Sequence, residues 1–156
     1  MLRGDEYEAV QWNGPVLELA AGPRSHAPDI VTEEPEATRF RSVDQSRAVG
    51  DALLDQRLVA GIGNMWRSEA LWEARVSPWR VLADISDDEL TAALTAAHRS
   101  MHASAEGTRS SRDVYRRAGR ACHRCGSAIR SAPQGEHART AYWCPGCQVG
   151  GNPPAS

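Results

Sequence analysis

Residues 52–71 read ALLDQRLVAGIGNMWRSEAL, and this stretch decides the fold. Val49, Leu53 and Leu54 space as one short apolar face ahead of a break at Ala60-Gly61-Ile62-Gly63-Asn64. A helical pattern resumes from Met65 to Ala74 and ends before Ser77-Pro78. Two short helices around a glycine-containing turn are the outline of a helix-turn-helix-like unit. A third helix opens at Ser86, where Glu89 three residues on completes a capping box. Its apolar stripe runs Leu90, Ala93, Leu94, Ala97 and Met101, the spacing of one helical face. His98 and His102 stand four apart on that helix; with no third ligand in view, both read as surface histidines.

Upstream, residues 20–48 hold Pro23, Pro28 and Pro35 among alanine, serine and acids. This composition predicts a linker or loosely packed loop, with His26 a solvated loop residue. Further back, two strand-like runs within residues 6–19 flank Asn13-Gly14, a pair that tolerates positive φ and signals a hairpin. A lone hairpin is marginal in water. It either packs on the helices behind it or is the remnant of a sheet whose other strands are absent.

Downstream lies every cysteine of the chain. Cys122-x2-Cys125 and Cys144-x2-Cys147 are two knuckles joined by an insert in which Ala128-Ile129-Arg130 and Thr140-Ala141-Tyr142-Trp143 read as strands. Four thiolates give a zinc ion a closed tetrahedral shell, so the ion is structural and not catalytic. Gly126 and Gly146 relieve the turn of each knuckle. So few residues cannot form a sufficient core, and metal binding supplies much of the folding energy. Two disulfides would need an oxidising compartment, and no thioredoxin-like pattern surrounds either pair.

The 156 residues suit one ordinary domain or two very small ones. No run of ~18 apolar residues offers a membrane span, and no apolar signal core follows Met1-Leu2-Arg3-Gly4-Asp5-Glu6. A cytoplasmic protein is expected. All 18 basic residues are arginine, so no lysine is present to form a Schiff base. The net charge of −2 conceals an uneven distribution: residues 109–156 carry 8 arginines against Asp113 and Glu136, a net of +6. Such a block either meets nucleic acid or is a merely soluble basic surface. Arg139 likewise reads either as a solvated ribbon arginine or as a bidentate phosphate ligand.

Three segments together carry a resemblance. Residues 52–71, residues 114–126 (Val114-Tyr115-Arg116-Arg117 through Cys125-Gly126) and residues 139–148 (Arg139-Thr140-Ala141-Tyr142-Trp143-Cys144 through Gln148) occur in order. They resemble the helix-two-turn-helix signature, finger entry and finger exit of the formamidopyrimidine-DNA glycosylase / endonuclease VIII family. The resemblance covers about residues 50–148. It implies that Asn64, in the turn, hydrogen-bonds a DNA phosphate beside the lesion, where Gly61 and Gly63 let the backbone approach and the next helix starts with free N–H groups. It implies that Arg139 contacts the same phosphate region and that Tyr115 and Arg116 line the DNA path. Gln56 and Glu69 are expected to make local hydrogen bonds.

Family members open, after the initiator methionine, with a Pro-Glu pair whose amine attacks the sugar, and they carry a lysine from an N-terminal sandwich. This chain opens Met1-Leu2-Arg3-Gly4 and has no lysine; Pro35-Glu36 is internal, with an amide nitrogen. The resemblance therefore implies the DNA-binding half of such an enzyme. The expected architecture is mainly α with a small β zinc ribbon. It comprises a hairpin remnant of the catalytic sandwich over 1–19, a linker over 20–48 and a helix-two-turn-helix domain over 49–108. An arginine-rich connector and four-cysteine finger follow over 109–150, then a tail over 151–156. The expected function is binding of duplex DNA at damaged or abasic sites by a monomer, without catalysis by this chain alone. The parent activity would be removal of oxidised bases followed by abasic-strand cleavage. The other reading is a non-enzymatic zinc-ribbon module that binds nucleic acid or a protein, its helix-turn signature coincidental.

Overall fold

The helical region is organised around its longest element, α3, which spans Asp87–Ala105. Both of its sequence signals operate. Ser86 Oγ accepts from the Glu89 N–H at 3.2 Å, and Glu89 accepts from the Ser86 N–H at 2.9 Å. Asp87, Asp88 and Glu89 place three carboxylates at the positive end of the helix dipole. Leu90, Ala93, Leu94 and Ala97 are buried, and Met101 packs against the edge of the same core. The computed structural model describes residues 2–3, 8–11, 17–20, 27–33, 36–108 and 112–153. Among them no helix is long and apolar enough to cross a membrane.

Facing α3 is α2 (Asn64–Glu73), which opens one residue earlier than its periodicity predicts, and α1 (Val49–Ala52) packs on α2. Val49, Ala52 and Leu53 from the first turn of chain, Leu58, Val59 and Ile62 from the connection, and Ala70 and Leu71 from α2 close on the α3 stripe. The connection is pinned by polar ties. Asp55 accepts from the Arg57 and Arg47 guanidiniums at 2.8 and 3.0 Å, which hold its carboxyl well below the usual range. Gln56 donates to Leu54 O and Ile62 O and accepts from the Gly61 N–H, the local role expected of it. Gly61 sits at φ +96, where a side chain would be strained.

The stretch read as a linker is instead part of this domain from residue 27 onward. Ile30 and Phe40 are 0% exposed and belong to the helical core. Ile30 N donates to Ala60 O, Ala60 N donates to Pro28 O, and residues Ala37–Ser42 form a 3-10 helix. Arg41 then donates to Leu82 O, Ile85 O and Asp87. Proline-rich composition forbids a regular helix, but it does not stop two apolar side chains from anchoring an irregular segment whose backbone pairs with its neighbours. His98 is also not a surface residue: it is half-buried, with Nδ1 hydrogen-bonded to Ile30 O. His102 is exposed, as expected.

At the N-terminus, the expected hairpin is present as β2 (Glu8–Gln11) and β3 (Leu17–Ala20), paired antiparallel with Gln11 opposite Leu17. An unforeseen strand, β1 (Leu2–Arg3), extends it to an antiparallel three-stranded sheet in the order β1-β2-β3. The Asn13-Gly14 turn, Pro23, His26 and Pro35 lie outside the described residues. At the other end, β4 (Arg130–Gln134) and β5 (Arg139–Trp143) form an antiparallel hairpin, with Gln134 opposite Arg139. The first strand starts two residues later than read, because Ala128 instead bridges back to Ala121. Ala141 and Trp143 bury the inner side of β5, which lies against α2. Trp143 meets Trp79 edge-on at 5.3 Å. A mainly α domain with a small β ribbon is the observed fold class.

Candidate nucleic-acid interface and metal centre

Two knuckles bring the four cysteines together. The Sγ atoms of Cys122, Cys125, Cys144 and Cys147 lie within 4.8 Å of one another. Cys122 and Cys147 are 3.8 Å apart, and Cys125 and Cys144 are 3.4 Å apart. A tetrahedral ion with metal–sulfur bonds of about 2.3 Å requires sulfur separations near ~3.8 Å, so this donor set fits a metal ion. Gly146 is needed here for space: a Cβ would stand 2.5 Å from Ser127 Oγ and 3.0 Å from Cys125 Sγ. As bare thiols the four groups titrate apart. Hydrogen bonds from the Ser127 side chain and backbone hold Cys125 down to about 6, while burial and the neighbouring thiols push Cys147 up to about 12. A cation removes that conflict by stabilising all four thiolates at once.

The metal site is tied to α2 and its C-terminal end. Trp72 donates its indole N–H to Cys122 Sγ at 3.4 Å. The Arg124 guanidinium stacks 3.7 Å from the Trp72 ring centroid and donates to Trp72 O at 2.6 Å. Gln148, 2% exposed, accepts from the Cys144 N–H and donates to Val76 O. Such outer-shell bonds orient the ligating sulfurs.

The connector is held by one buried carboxylate. Glu69, 2% exposed on α2, accepts from the backbone N–H groups of Asp113, Val114 and Tyr115 at 2.8 to 3.0 Å. Local hydrogen bonding was the expected role, and its targets lie more than 40 residues away. This contact sets Tyr115 edge-on to Tyr142 of β5, at 5.2 Å between centroids. Arg112 and Arg116 stand over the Tyr115 ring at 5.4 and 5.6 Å, with Arg116 in the left-handed region at φ 58.

Asn64 opens α2. Its Nδ2 donates to Thr140 O at 2.9 Å, and its Oδ1 accepts from Arg67 Nη2 at 2.5 Å. Arg139, the residue beside Thr140, is exposed. Thus Asn64 and the residue next to Arg139 are bonded across the helix–finger seam, and Tyr115, with Arg116 over its ring, meets the same strand at Tyr142. No side chain caps α2: Gly63 at its N-cap has φ −98, and a Cβ there would meet nothing within 4 Å. Gly63 is therefore not required by the fold, and it leaves open space before the unpaired N–H groups of the first helical turn.

Arg67 and Gln134 were not anticipated. Arg67 is 1% exposed and donates to Gly50 O, Gln134 Oε1, Thr140 O and Asn64 Oδ1. Burial lowers its pKa to about 10, with Asp51 opposing the shift and the nearby Arg139 charge adding to it. Arg67 through Trp72 are buried consecutively. Buried polar side chains are mostly satisfied internally, and the run Arg67-Ser68-Glu69 between the apolar pairs Met65-Trp66 and Ala70-Leu71 was the available signal.

Residues 26–114 match the formamidopyrimidine-DNA glycosylase H2TH domain. The chain belongs to the formamidopyrimidine-DNA glycosylase / endonuclease VIII family. A Streptomyces coelicolor relative named "Probable endonuclease 8 2" is 40% identical over 121 residues, 70% of this chain and 44% of that one. Endonuclease 8 of Klebsiella pneumoniae is 34% identical over 141 residues, 83% of this chain and 53% of that one. The chain thus spans about half the length of these relatives. A solved complex between Lactococcus lactis Fpg and DNA containing an abasic site aligns with TM-score 0.66 and 25% identity. It covers 80% of this chain and 52% of that one. A second Lactococcus lactis structure, non-covalently bound to such DNA, reaches TM-score 0.72 at 23% identity over 86% of this chain and 56% of that one, a likeness of fold. With the family assigned, the helix-turn signature is not a coincidence.

Proposed function

We propose that this chain is the damaged-DNA-binding half of a base-excision DNA glycosylase and abasic-site lyase that acts on oxidised bases in duplex DNA. The observation that carries the reading is that Asn64 hydrogen-bonds Thr140 O, next in the chain to the exposed Arg139, beside the uncapped start of α2. An Asn amide has two donors; one goes to Thr140 O, and the other is available to a phosphate oxygen. The first-turn N–H groups add a field favourable to an anion, and Arg139 adds a fork that matches phosphate geometry. Phosphate contacts of this kind set register on the duplex. Gripping the backbone beside a lesion helps the damaged nucleotide leave the stack. Tyr115 and Arg116 extend the grip along the connector.

The ion that suits the four cysteines is zinc, which accepts tetrahedral thiolate sets in closed structural sites. When bound, it crosslinks the two knuckles and so fixes the hairpin that presents Arg139. The chemical step needs an amine nucleophile. No lysine is present among the 156 residues to supply a side-chain amine, and the chain alone is expected to bind without cleaving. Relatives named as glycosylases and endonucleases, and structures bound to abasic-site DNA, support this assignment.

Fluorescence anisotropy with a duplex bearing a stable abasic analogue tests the reading. Asn64→Ala and Arg139→Ala should each weaken binding about tenfold, roughly 1.4 kcal/mol, and the affinity should fall steeply with salt. Equal affinity for abasic and intact duplex, unchanged by either substitution, would refute it. Borohydride trapping on the same duplex tests the absence of catalysis, and a covalent adduct would overturn that part.

A further inference from the structure

Arg67 is an unusual residue to bury. It is 1% exposed, and among the described residues no carboxylate lies within ion-pair distance of it. Its Nε has no hydrogen-bond partner there either. Asp51, the acid that acts on it through space, is paired with Arg47 at 3.0 Å. If cross-bracing were its only task, a well-packed apolar side chain of similar volume would serve at lower cost. The guanidinium instead has carbonyl and amide oxygens drawn from four elements around it. Nη1 donates to Gly50 O of α1 and Gln134 Oε1 of β4; Nη2 donates to Thr140 O of β5 and Asn64 Oδ1 of α2.

That arrangement leaves Asn64 one orientation. With Oδ1 facing the guanidinium, Nδ2 faces Thr140 O at 2.9 Å and keeps its second proton. A flipped amide would set Nδ2 against the Arg67 donors and Oδ1 against the Thr140 carbonyl, two repulsive contacts in place of two bonds. It would also turn an acceptor toward an incoming anion. Thr140 O is shared by Asn64 and Arg67, so the amide is oriented only when β5 is seated on α2.

We propose that Arg67 is a positioning residue for the phosphate contact: it holds the Asn64 amide donor-outward and makes that orientation depend on the seating of the finger hairpin. The proposal rests on the DNA-binding reading above. Arg67 reaches the DNA only through Asn64, and its charge, with that of Arg139, gives the seam a positive field that an arriving phosphate offsets.

The test is a double-mutant cycle on the full chain with its metal, read by anisotropy on the abasic-analogue duplex. Arg67→Lys keeps a positive charge but loses the planar fork. It should weaken binding about tenfold in the parent background and less than about twofold in the Asn64→Ala background, with metal content unchanged. Equal losses in both backgrounds would mark Arg67 as a general brace and overturn the proposal, as would binding within about twofold of the parent for Arg67→Lys. A readout on the unsubstituted protein guards against a variant that does not fold. In a nitrogen-15 spectrum, the Asn64 side-chain amide and the Arg67 Nε–H should shift together on addition of the duplex. A shift at Asn64 with none at Arg67 would overturn the proposal. If the parent does not prefer abasic DNA, the DNA-binding reading fails. The link between the two residues is then judged on the free protein, where Arg67→Lys should broaden or shift the Asn64 side-chain amide pair; an unaltered pair would reject the link.

Discussion

The helical region and the finger are held together by opposite means. Among the described residues, eighteen buried hydrophobic ones form the helical core, against five in the cluster behind the finger, two of which belong to the four-cysteine cluster. The first region can stand on apolar burial, which stabilises by about 25 cal/mol per Å². The second has too little core and depends on sulfur and on directional polar ties to α2 and the segment after it. Glu69 holds the connector, Gln148 and Gln134 reach the carbonyls of Val76 and Pro78, and Arg67 spans both regions. A seam built from hydrogen bonds specifies one docking geometry more sharply than apolar contact does.

Removing the metal should separate the two regions most completely. Structural zinc contributes about 10–16 kcal/mol in isolated fingers, so chelation or Cys144→Ser should abolish amide-exchange protection in β4 and β5 while α3 stays protected. Concerted loss in α3 would show that the helical core does not stand alone. In the reverse direction, Leu94→Ala empties a site that is 0% exposed and should destabilise the helical region by about 2–5 kcal/mol. Thermal unfolding reads that loss, and metal stoichiometry measured below the transition should not change.

The seam itself is probed by Glu69→Gln, which replaces one of the two accepting carboxylate oxygens by an amide NH2 and so turns a donor toward at least one of the three backbone N–H groups. A loss of about 1–3 kcal/mol is expected, with weaker DNA binding as Tyr115 moves; unchanged exchange at residues 113–115 would contradict the role given to Glu69. The smallest effect belongs to Glu89, whose carboxyl the Arg80 guanidinium and the Ser86 backbone hold down to about 2. Because the folded pKa is depressed below the ordinary value of about 4.3, its contribution is present above that value and lost as pH falls toward 2. Glu89 is 38% exposed, so solvent screens the pair. Glu89→Gln should cost less than ~1 kcal/mol at pH 7, and the difference in Tm from the parent should vanish near pH 2. A difference that persists at low pH would assign the effect to capping and not to charge.

Much of this is legible in the sequence. The capping box at Ser86, the α3 stripe and the paired CxxC knuckles are local patterns that appear where their spacing puts them, and the glycine break is one residue shorter than read because α2 opens at Asn64. The segment from residue 27 to 48 was misread because its composition reports only what secondary structure it avoids. Ile30 and Phe40 become core residues through surfaces contributed by α3 and by the chain around Ala60, which no local window contains. His98 was misread for the same reason, since the carbonyl it meets is 68 residues away.

By itself the sequence determined the four-cysteine cluster, the helix that follows the Gly61-Ile62-Gly63 break and the basic character of residues 109–156, because periodicity, capping and thiolate spacing act over a few residues. Only the tertiary structure decided that Asn64 and Thr140, 76 residues apart, share a hydrogen bond, and that Arg67 and Glu69 point inward to work as ties. A buried polar group is defined by the surface that closes over it. That surface exists only once the finger has docked on the helix.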